Sequence, residues 1–156
     1  MTTIDTTPVL LTLQLAITTT LVLMLIALPL GWWLAHTRTR AKPLIEALTA
    51  LPLVLPPTVI GFYLLVLFAP AGVLGEPWLR LTGQTLTFSF SGLVLASMIY
   101  SLPFVVQPLQ GAFEAVGRGP LEAAATLGAG RLDAFFTVAS PLALRGYVTA
   151  GVLGFA

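Results

Sequence analysis

Few side chains in this sequence could carry out acid–base, nucleophilic or metal chemistry. The 156 residues include no cysteine and a single histidine, His36, so a thiolate nucleophile and a metal site built on histidines or cysteines are excluded. No Gly-x-x-x-x-Gly-Lys-[Ser/Thr] motif occurs, so the chain lacks the loop that cradles nucleotide phosphates in ATPases. We therefore expect no catalytic residue, no metal, no cofactor and no ATP hydrolysis by this chain itself.

The first informative stretch is a proline-rich segment inside an apolar run, Leu51-Pro52-Leu53-Val54-Leu55-Pro56-Pro57-Thr58-Val59-Ile60-Gly61-Phe62-Tyr63. Each proline removes a backbone donor and crowds the preceding turn. Within a bilayer, a broken helix is tolerated mainly where it faces a cavity or a neighbouring helix. The segment therefore predicts part of a pore wall, and a simple packing kink remains the alternative. The candidate pore-lining residues are Pro56, Pro57, Thr58 and Gly61.

A second informative stretch reads Gly117-Arg118-Gly119-Pro120-Leu121-Glu122-Ala123-Ala124-Ala125-Thr126-Leu127-Gly128-Ala129-Gly130-Arg131-Leu132-Asp133-Ala134-Phe135-Phe136. Pro120 suits a first helical position, and Glu122 complements the positive end of a helix dipole. Gly128 and Gly130 favour a helix end. This predicts a two-turn helix, followed by a second short helix at about 131–138 with Phe135 and Phe136 as apolar contacts. The alanines make the first helix thin enough to dock into a partner's groove. The alternative is a surface helix that only returns the chain to the bilayer.

Composition predicts the elements that must position these two stretches. Hydrophobic residues make up 57% of the chain and charged residues 8%, whereas an ordinary soluble domain has about a quarter charged residues. Three runs carry no formal charge, and each is longer than the roughly 20 residues that cross a bilayer. We therefore predict an all-α, polytopic membrane helix bundle. The uncharged runs lie between Asp5 and His36, between Glu46 and Glu76, and between Arg80 and Glu114, and the predicted spans are 9–35, 47–69, 91–109 and a fourth from 141 to 156.

Basic residues predict how the chain faces the membrane. The connecting segments are 36–46, 70–90 and 110–140, and six of the seven basic residues lie in or next to the first and third of them. By the positive-inside rule these two segments face the cytoplasm, so the N-terminus and the 70–90 loop face outside. Trp32 and Trp33 are predicted anchors at headgroup depth. The six basic residues are Arg38, Arg40, Lys42, Arg118, Arg131 and Arg145.

The outer loop and the net charge bear on partners. Residues 69–77 are rich in glycine and proline, so we predict an irregular loop with one short helix near Trp78–Leu81. This loop is the natural face for an extracytoplasmic partner. The net charge of +1 argues against nucleic acid, and the apolar spans require membrane lipid as their solvent.

The second stretch resembles a known motif. Glu122-Ala123-Ala124, followed after three residues by Gly128 and after nine more by Val138-Ala139-Ser140-Pro141, is similar to the EAA loop of ABC importer permeases. Ser140 stands where that family usually has leucine. The segment 51–65, and Thr126 to Arg131 together with Phe135-Phe136, are similar to the molybdate permeases of this family. The resemblance covers nearly the whole chain from the first predicted helix onward.

The resemblance implies a type I ABC importer permease in the bacterial inner membrane, with about four spanning helices and short cytoplasmic coupling helices. It implies a homodimer, a cytoplasmic ABC ATPase subunit dimer and a periplasmic oxyanion-binding protein. Residues 1–156 would form a single permease domain, incomplete at its C-terminus because family members continue further. The resemblance assigns ATPase coupling to Glu122, Ala123, Ala124, Gly128 and Arg131. In these roles Glu122 would hold its helix, the two alanines would permit close docking, and Gly128 would allow the turn.

The expected function is therefore the import of molybdate or tungstate, with ATP hydrolysed by the partner subunit. A sulfate or thiosulfate permease and a non-transporting truncated fragment remain as alternatives. A membrane-embedded enzyme is disfavoured, because the predicted spans hold no histidine, aspartate or glutamate for acid–base or metal chemistry. No cationic side chain lies deep in the spans, so selectivity is expected to rest with the capture protein.

Overall fold

A computed structural model describes residues 6–156, and in this part of the chain every regular element is helical. The predicted all-α class is confirmed. Asp5, which borders the first uncharged run, lies outside the described residues. In chain order the helices are α1 (Thr7–His36), α2 (Lys42–Val54), α3 (Pro57–Phe68), α4 (Gly75–Thr82), α5 (Phe90–Val116), α6 (Gly119–Thr126), α7 (Arg131–Ala134), α8 (Ser140–Leu142) and α9 (Leu144–Phe155), with a π-helical stretch, Phe135–Ala139, between α7 and α8.

Two helices, α1 and α5, are each long and apolar enough to cross a membrane. Two bent pairs pass the same test jointly: α2 with α3, and Arg131–Leu142 with α9. The described residues therefore hold two spanning helices, or up to four if each bent pair is one span. Helix α5 continues beyond the predicted boundary at 109 and ends at Val116. Phe113, which lies in this extension, is fully buried in the core and so holds the extra turns against it.

The segment predicted as one span at 47–69 is two helices with a sharp break. Helix α2 begins earlier, at Lys42, and the axes of α2 and α3 differ by 111°. Leu55 and Pro56 are extended, with ψ angles of 137° and 140°. A proline disfavours helical backbone in the residue before it and supplies no N–H to continue the helix, so the consecutive prolines at 56 and 57 stop α2. The helix over 47–69 is therefore broken at its prolines, and the bent pair can still form one span.

The short helix predicted near Trp78–Leu81 is confirmed as α4. Glu76 in its first turn and Arg80 in its last turn form an ion pair four residues apart. Such a pair stabilises an exposed helix modestly. Gly83 ends the helix, and its N–H donates to the carbonyl oxygen of Leu79 at 2.9 Å.

The core lies where α1, α5 and α9 meet. Helix α9 comes close to the other two through small residues that recur every fourth position, which places them on one helix face. A methyl group added at Gly154 would lie 2.8 Å from Cγ2 of Val105, and one added at Gly146 would overlap the side chain of Ala112. The small buried residues of α9 are Gly146, Ala150 and Gly154, and the buried residues around them include Leu23, Ala27, Leu34, Val105, Val106, Leu109 and Phe113.

We expect Gly146→Ala to lower the free energy of unfolding by about 1–3 kcal/mol, because the added methyl forces α9 away from α5. Gly151→Ala on the same helix is the matched control, since nothing lies within 4 Å of a methyl added there. The control should be neutral or stabilising by up to about 1 kcal/mol through helix propensity. Thermal unfolding of the purified protein in detergent measures both. Equal effects of the two substitutions would contradict the close packing of α5 and α9.

Candidate functional site

The predicted two-turn helix is confirmed as α6, and it lies just beyond the end of α5. Pro120 is in its first turn, where the missing N–H has no partner to lose. Arg118 precedes the helix and makes no side-chain capping hydrogen bond. The predicted second helix begins at Arg131 as expected but continues through the π-helical stretch to Leu142.

The turn between these two helices is built on Gly128. Its φ angle is +89°, in the left-handed region where side chains other than glycine are strained. The N–H of Gly128 donates to the carbonyl oxygen of Ala125, and the N–H of Ala129 donates to that of Ala124, both at 3.0 Å. This pair of hydrogen bonds is the Schellman motif, which satisfies the free carbonyls at a helix end. The backbone of the turn is therefore specified by one glycine.

The other residues assigned to ATPase coupling differ in exposure. Ala124 is 8% exposed and faces its own chain, whereas Ala123 is exposed. Of the two alanines expected to permit docking, only Ala123 is open to a partner. Glu122 and Arg131 are also exposed, and neither side chain has a hydrogen-bond or ion-pair partner within residues 6–156. Glu122 can therefore support α6 only through the helix dipole.

An aromatic cluster connects this segment to the core. The ring of Phe135 lies 4.9 Å from that of Trp32 on α1 and 6.0 Å from that of Phe113 on α5, and Trp32 meets Phe113 edge to face at 5.1 Å. Phe136, also predicted as an apolar contact, is 67% exposed. Trp33 is exposed and suits the predicted headgroup anchor. Trp32 instead packs inward, because aromatic side chains from three elements converge around it.

The cluster extends to α9. The ring of Tyr147 lies 5.9 Å from that of Phe113, and the hydroxyl groups of Ser140 and Tyr147 are hydrogen-bonded at 2.9 Å. A displacement of the segment Arg131–Leu142 would therefore act on α1, α5 and α9 together. The sequence predicts apolar contacts for the two phenylalanines but not the inward packing of Trp32 and Tyr147, which depends on contacts distant in sequence.

The predicted pore segment is the break between α2 and α3. Pro56, Pro57, Thr58 and Gly61 are all exposed there. An apolar cavity of about 860 Å³ lies inside the bend, but these four residues do not line it. The cavity is lined instead by residues on either side of the break that include Leu51, Pro52, Leu55, Ile60 and Tyr63.

Four polar side chains that sequence reasoning missed join α2 to α5. Lys42 Nζ donates to Glu114 Oε1 at 3.1 Å and lies 3.6 Å from Glu46 Oε1. Gln110 Nε2 donates to Glu46 Oε1 at 2.6 Å and to Glu114 Oε1 at 3.0 Å. Only one feature of the sequence indicates these contacts. Lys42 and Glu46 are four positions apart, as are Gln110 and Glu114, and residues at this spacing share a helix face.

Comparison with known proteins places these features in a family. The family described as "Binding-protein-dependent transport system inner membrane component" matches residues 27–156. The chain is 58% identical over 152 residues to the molybdenum transport system permease protein ModB of Azotobacter vinelandii, an alignment covering 97% of this chain and 67% of that protein.

More distant relatives carry the same name. The chain is 41% identical over 136 residues to ModB of Escherichia coli strain K12, covering 85% of this chain and 59% of that protein. It is 38% identical over 150 residues to ModB of Mycobacterium tuberculosis, covering 96% of this chain and 56% of that protein. The chain thus spans about two thirds or less of the length of these relatives. The match over residues 27–156, with the EAA-type segment inside it, shows that the chain belongs to the family of binding-protein-dependent transport system inner membrane components.

Proposed function

We propose that this chain forms the membrane-spanning part of a bacterial inner-membrane importer for molybdate, driven by a separate ATPase. The observation that carries the proposal is an exposed two-turn helix, α6, held outside the helix core and connected to that core through Phe135. The cargo follows from the relatives, which are named as molybdenum permeases and reach 58% identity. Sulfate import is the second candidate, and competition experiments separate the two.

The surface around α6 supports docking of a cytoplasmic ATPase subunit, which the expected orientation places on the same side of the membrane. Leu127 and Leu132 flank the Gly128 turn and are 88% and 76% exposed. Exposed apolar side chains of this size beside a thin helix are typical of a surface that a partner's groove covers. A helix that only returned the chain to the bilayer would have no need of them.

The aromatic cluster supports a route for motion from the ATPase into the membrane. Closure of the ATPase dimer on nucleotide would displace α6 and the segment Arg131–Leu142 as one unit. Phe135 packs against both Trp32 and Phe113, so that displacement would move α1 and α5 together. Rigid-body motion of packed helices is a common form of switching. In a homodimer, this movement in both subunits would open the transport pathway to one side of the membrane and then to the other.

The break between α2 and α3 supports a role as the pore segment. It leaves Pro56, Pro57, Thr58 and Gly61 exposed, and non-helical backbone at membrane depth needs protein or a water-filled path beside it. The run 47–75 contains no charged residue. Since no fixed charge would hold a dianion there, we assign selectivity to a periplasmic oxyanion-binding protein that delivers the cargo.

The cargo is tested by uptake of labelled molybdate in bacteria that lack their own permease but keep the matching binding protein and ATPase. The protein that carries this chain should restore uptake, and excess tungstate but not sulfate should block it, because tungstate has the size and charge of molybdate. Labelled sulfate in the same cells is the control. Sulfate uptake without molybdate uptake would identify the chain as a sulfate permease instead.

Gly128→Ala should reduce uptake about 5- to 30-fold, because a left-handed residue other than glycine costs about 1–2 kcal/mol and the turn would be populated less. Gly130→Ala is the matched control: Gly130 has φ of −70°, which alanine adopts freely, and nothing lies within 4 Å of its added methyl. Uptake and membrane abundance should be measured together. Equal uptake by the two variants would remove the Gly128 turn from the coupling mechanism.

Ala123→Trp should weaken retention of the ATPase subunit at least about tenfold, because a large side chain on the exposed face of α6 would hold the helix out of the groove. Its thermal stability should be unchanged. Ala124→Trp should instead lower stability, since Ala124 is 8% exposed within its own chain. Co-purification of the ATPase and thermal unfolding in detergent distinguish the two effects. Full ATPase retention by Ala123→Trp would show that the partner binds elsewhere.

A further inference from the structure

The polar network of Lys42, Glu46, Gln110 and Glu114 has no role in the function proposed so far. It occupies the end of α5 nearest to α6 and the start of α2. Lys42 and Glu114 lie 72 residues apart in the chain, and Lys42 Nζ donates to Glu114 Oε1 at 3.1 Å. The amide of Gln110 donates to both carboxylates, so the four side chains form one connected unit.

The network is a main attachment of α2 to the remaining helices. Thr49 is the buried residue of this helix, and Ile45 packs against the core cluster. Most other large apolar residues of α2 are exposed: Leu44, Leu48, Leu51, Leu53 and Val54. Helix α5 is the element against which α2 mainly packs. Within residues 6–156, little apolar packing therefore holds α2 in place.

A cavity beside the network shows that apolar side chains do not close the gap between the two helices. Its volume is about 330 Å³. The lining residues are polar or small and come from both sides: Glu46, Thr49 and Ala50 from α2, and Gln107, Gln110, Gly111 and Glu114 from α5. Across this gap the direct connection is made by the side chains of the network.

The bonds of the network are of a kind that can break and re-form. The side chains of Lys42, Glu46 and Glu114 are 26%, 37% and 45% exposed. Ion pairs with this much access to water are individually weak, because water competes for both partners. A fully buried pair would instead leave an uncompensated charge whenever it opened. The network thus suits a connection that changes during a transport cycle.

The network joins α5, to which we have assigned movement, to α2, which leads into the proposed pore segment. Glu114 lies in the last turn of α5, immediately before the chain turns into α6. Lys42 begins α2, which ends at the break that precedes α3. We propose that Lys42 and Glu114, oriented by Glu46 and Gln110, are positioning residues that transmit motion from the ATPase-docking segment to the pore segment. This inference rests on the proposed function and deepens it.

The test uses the complete transporter in proteoliposomes, with its ATPase and binding protein, and measures molybdate imported per ATP hydrolysed. Lys42→Glu places three carboxylates together, whose repulsion should separate α2 from α5. The ratio should then fall about fivefold or more, which is the typical size of coupling between two sites of one protein. The double variant Lys42→Glu with Glu114→Lys restores opposite charges across the gap. It should return the ratio to within about twofold of the wild type.

Arg38→Glu is the matched control. It makes the same charge reversal four positions earlier, on the same side of the membrane, and Arg38 is exposed with no ion-pair partner in residues 6–156. The ratio should not change in this variant. A ratio unchanged in Lys42→Glu, or equally low in the single and double variants, would overturn the role of the network.

A second measurement does not depend on transport. The chain has no cysteine, so spin labels can be attached at introduced cysteines without removing native ones. Leu44→Cys on α2 and Ala115→Cys on α5 are both at exposed positions. In lipid nanodiscs, dipolar broadening between the labels should fall in Lys42→Glu and recover in the double variant. Broadening that does not change would show that the network does not hold α2.

The two experiments separate the failure of this inference from that of the proposed function. If the wild-type transporter imports no molybdate, the proposed cargo is wrong and the ratio is undefined, whereas the spin labels still report on the attachment of α2. If the wild type imports molybdate and Lys42→Glu keeps a normal ratio, only the positioning role is overturned. If Lys42→Glu reduces the broadening but keeps a normal ratio of molybdate to ATP, the positioning role is likewise overturned, because the network would then only hold α2 in place.

Discussion

The structure depends first on the need to satisfy backbone hydrogen bonds where water is scarce. Every regular element of residues 6–156 is helical, because a helix pairs its own N–H and C=O groups within the segment. The departures from helix are correspondingly specific. At the Gly128 turn, two backbone hydrogen bonds satisfy the end of α6. At the break between α2 and α3, the N–H of Leu55 donates to the carbonyl oxygen of Leu51. The carbonyl oxygen of Pro56 accepts from the N–H groups of Val59 and Ile60, so the bend too is stabilised by backbone hydrogen bonds within the chain.

Two kinds of packing then divide the described chain into a firm part and a loosely held part. Helices α1, α5 and α9 pack through small residues and a shared aromatic cluster, so they behave as one unit. Helix α2 exposes most of its large side chains and is joined to α5 through polar groups beside a cavity. Such a division suits a transporter, since a firm unit can carry movement while a weakly attached helix responds to it.

The π-helical stretch Phe135–Ala139 lies between the firm part and the exposed helix α6. A π-helical stretch changes the register of side chains along a helix, and such stretches occur frequently at functional sites. Here the change occurs where Phe135 turns towards Trp32 and Phe113 while Phe136 remains exposed. Adjacent residues thus have different roles: one anchors the segment to the core, and the other is available to a partner.

The sequence by itself determined the fold class, the short helix α6, the glycine turn and the family, because these depend on composition and on residues close together in the chain. Only the tertiary structure decided the 111° bend at Pro56, the extension of α5 to Val116 and the inward packing of Trp32. It alone paired Lys42 with Glu114, which are 72 positions apart. Charges near the end of an apolar run look like a boundary with water in a sequence. Whether they instead pair with each other depends on which helices become neighbours, and that is decided by packing across the whole chain.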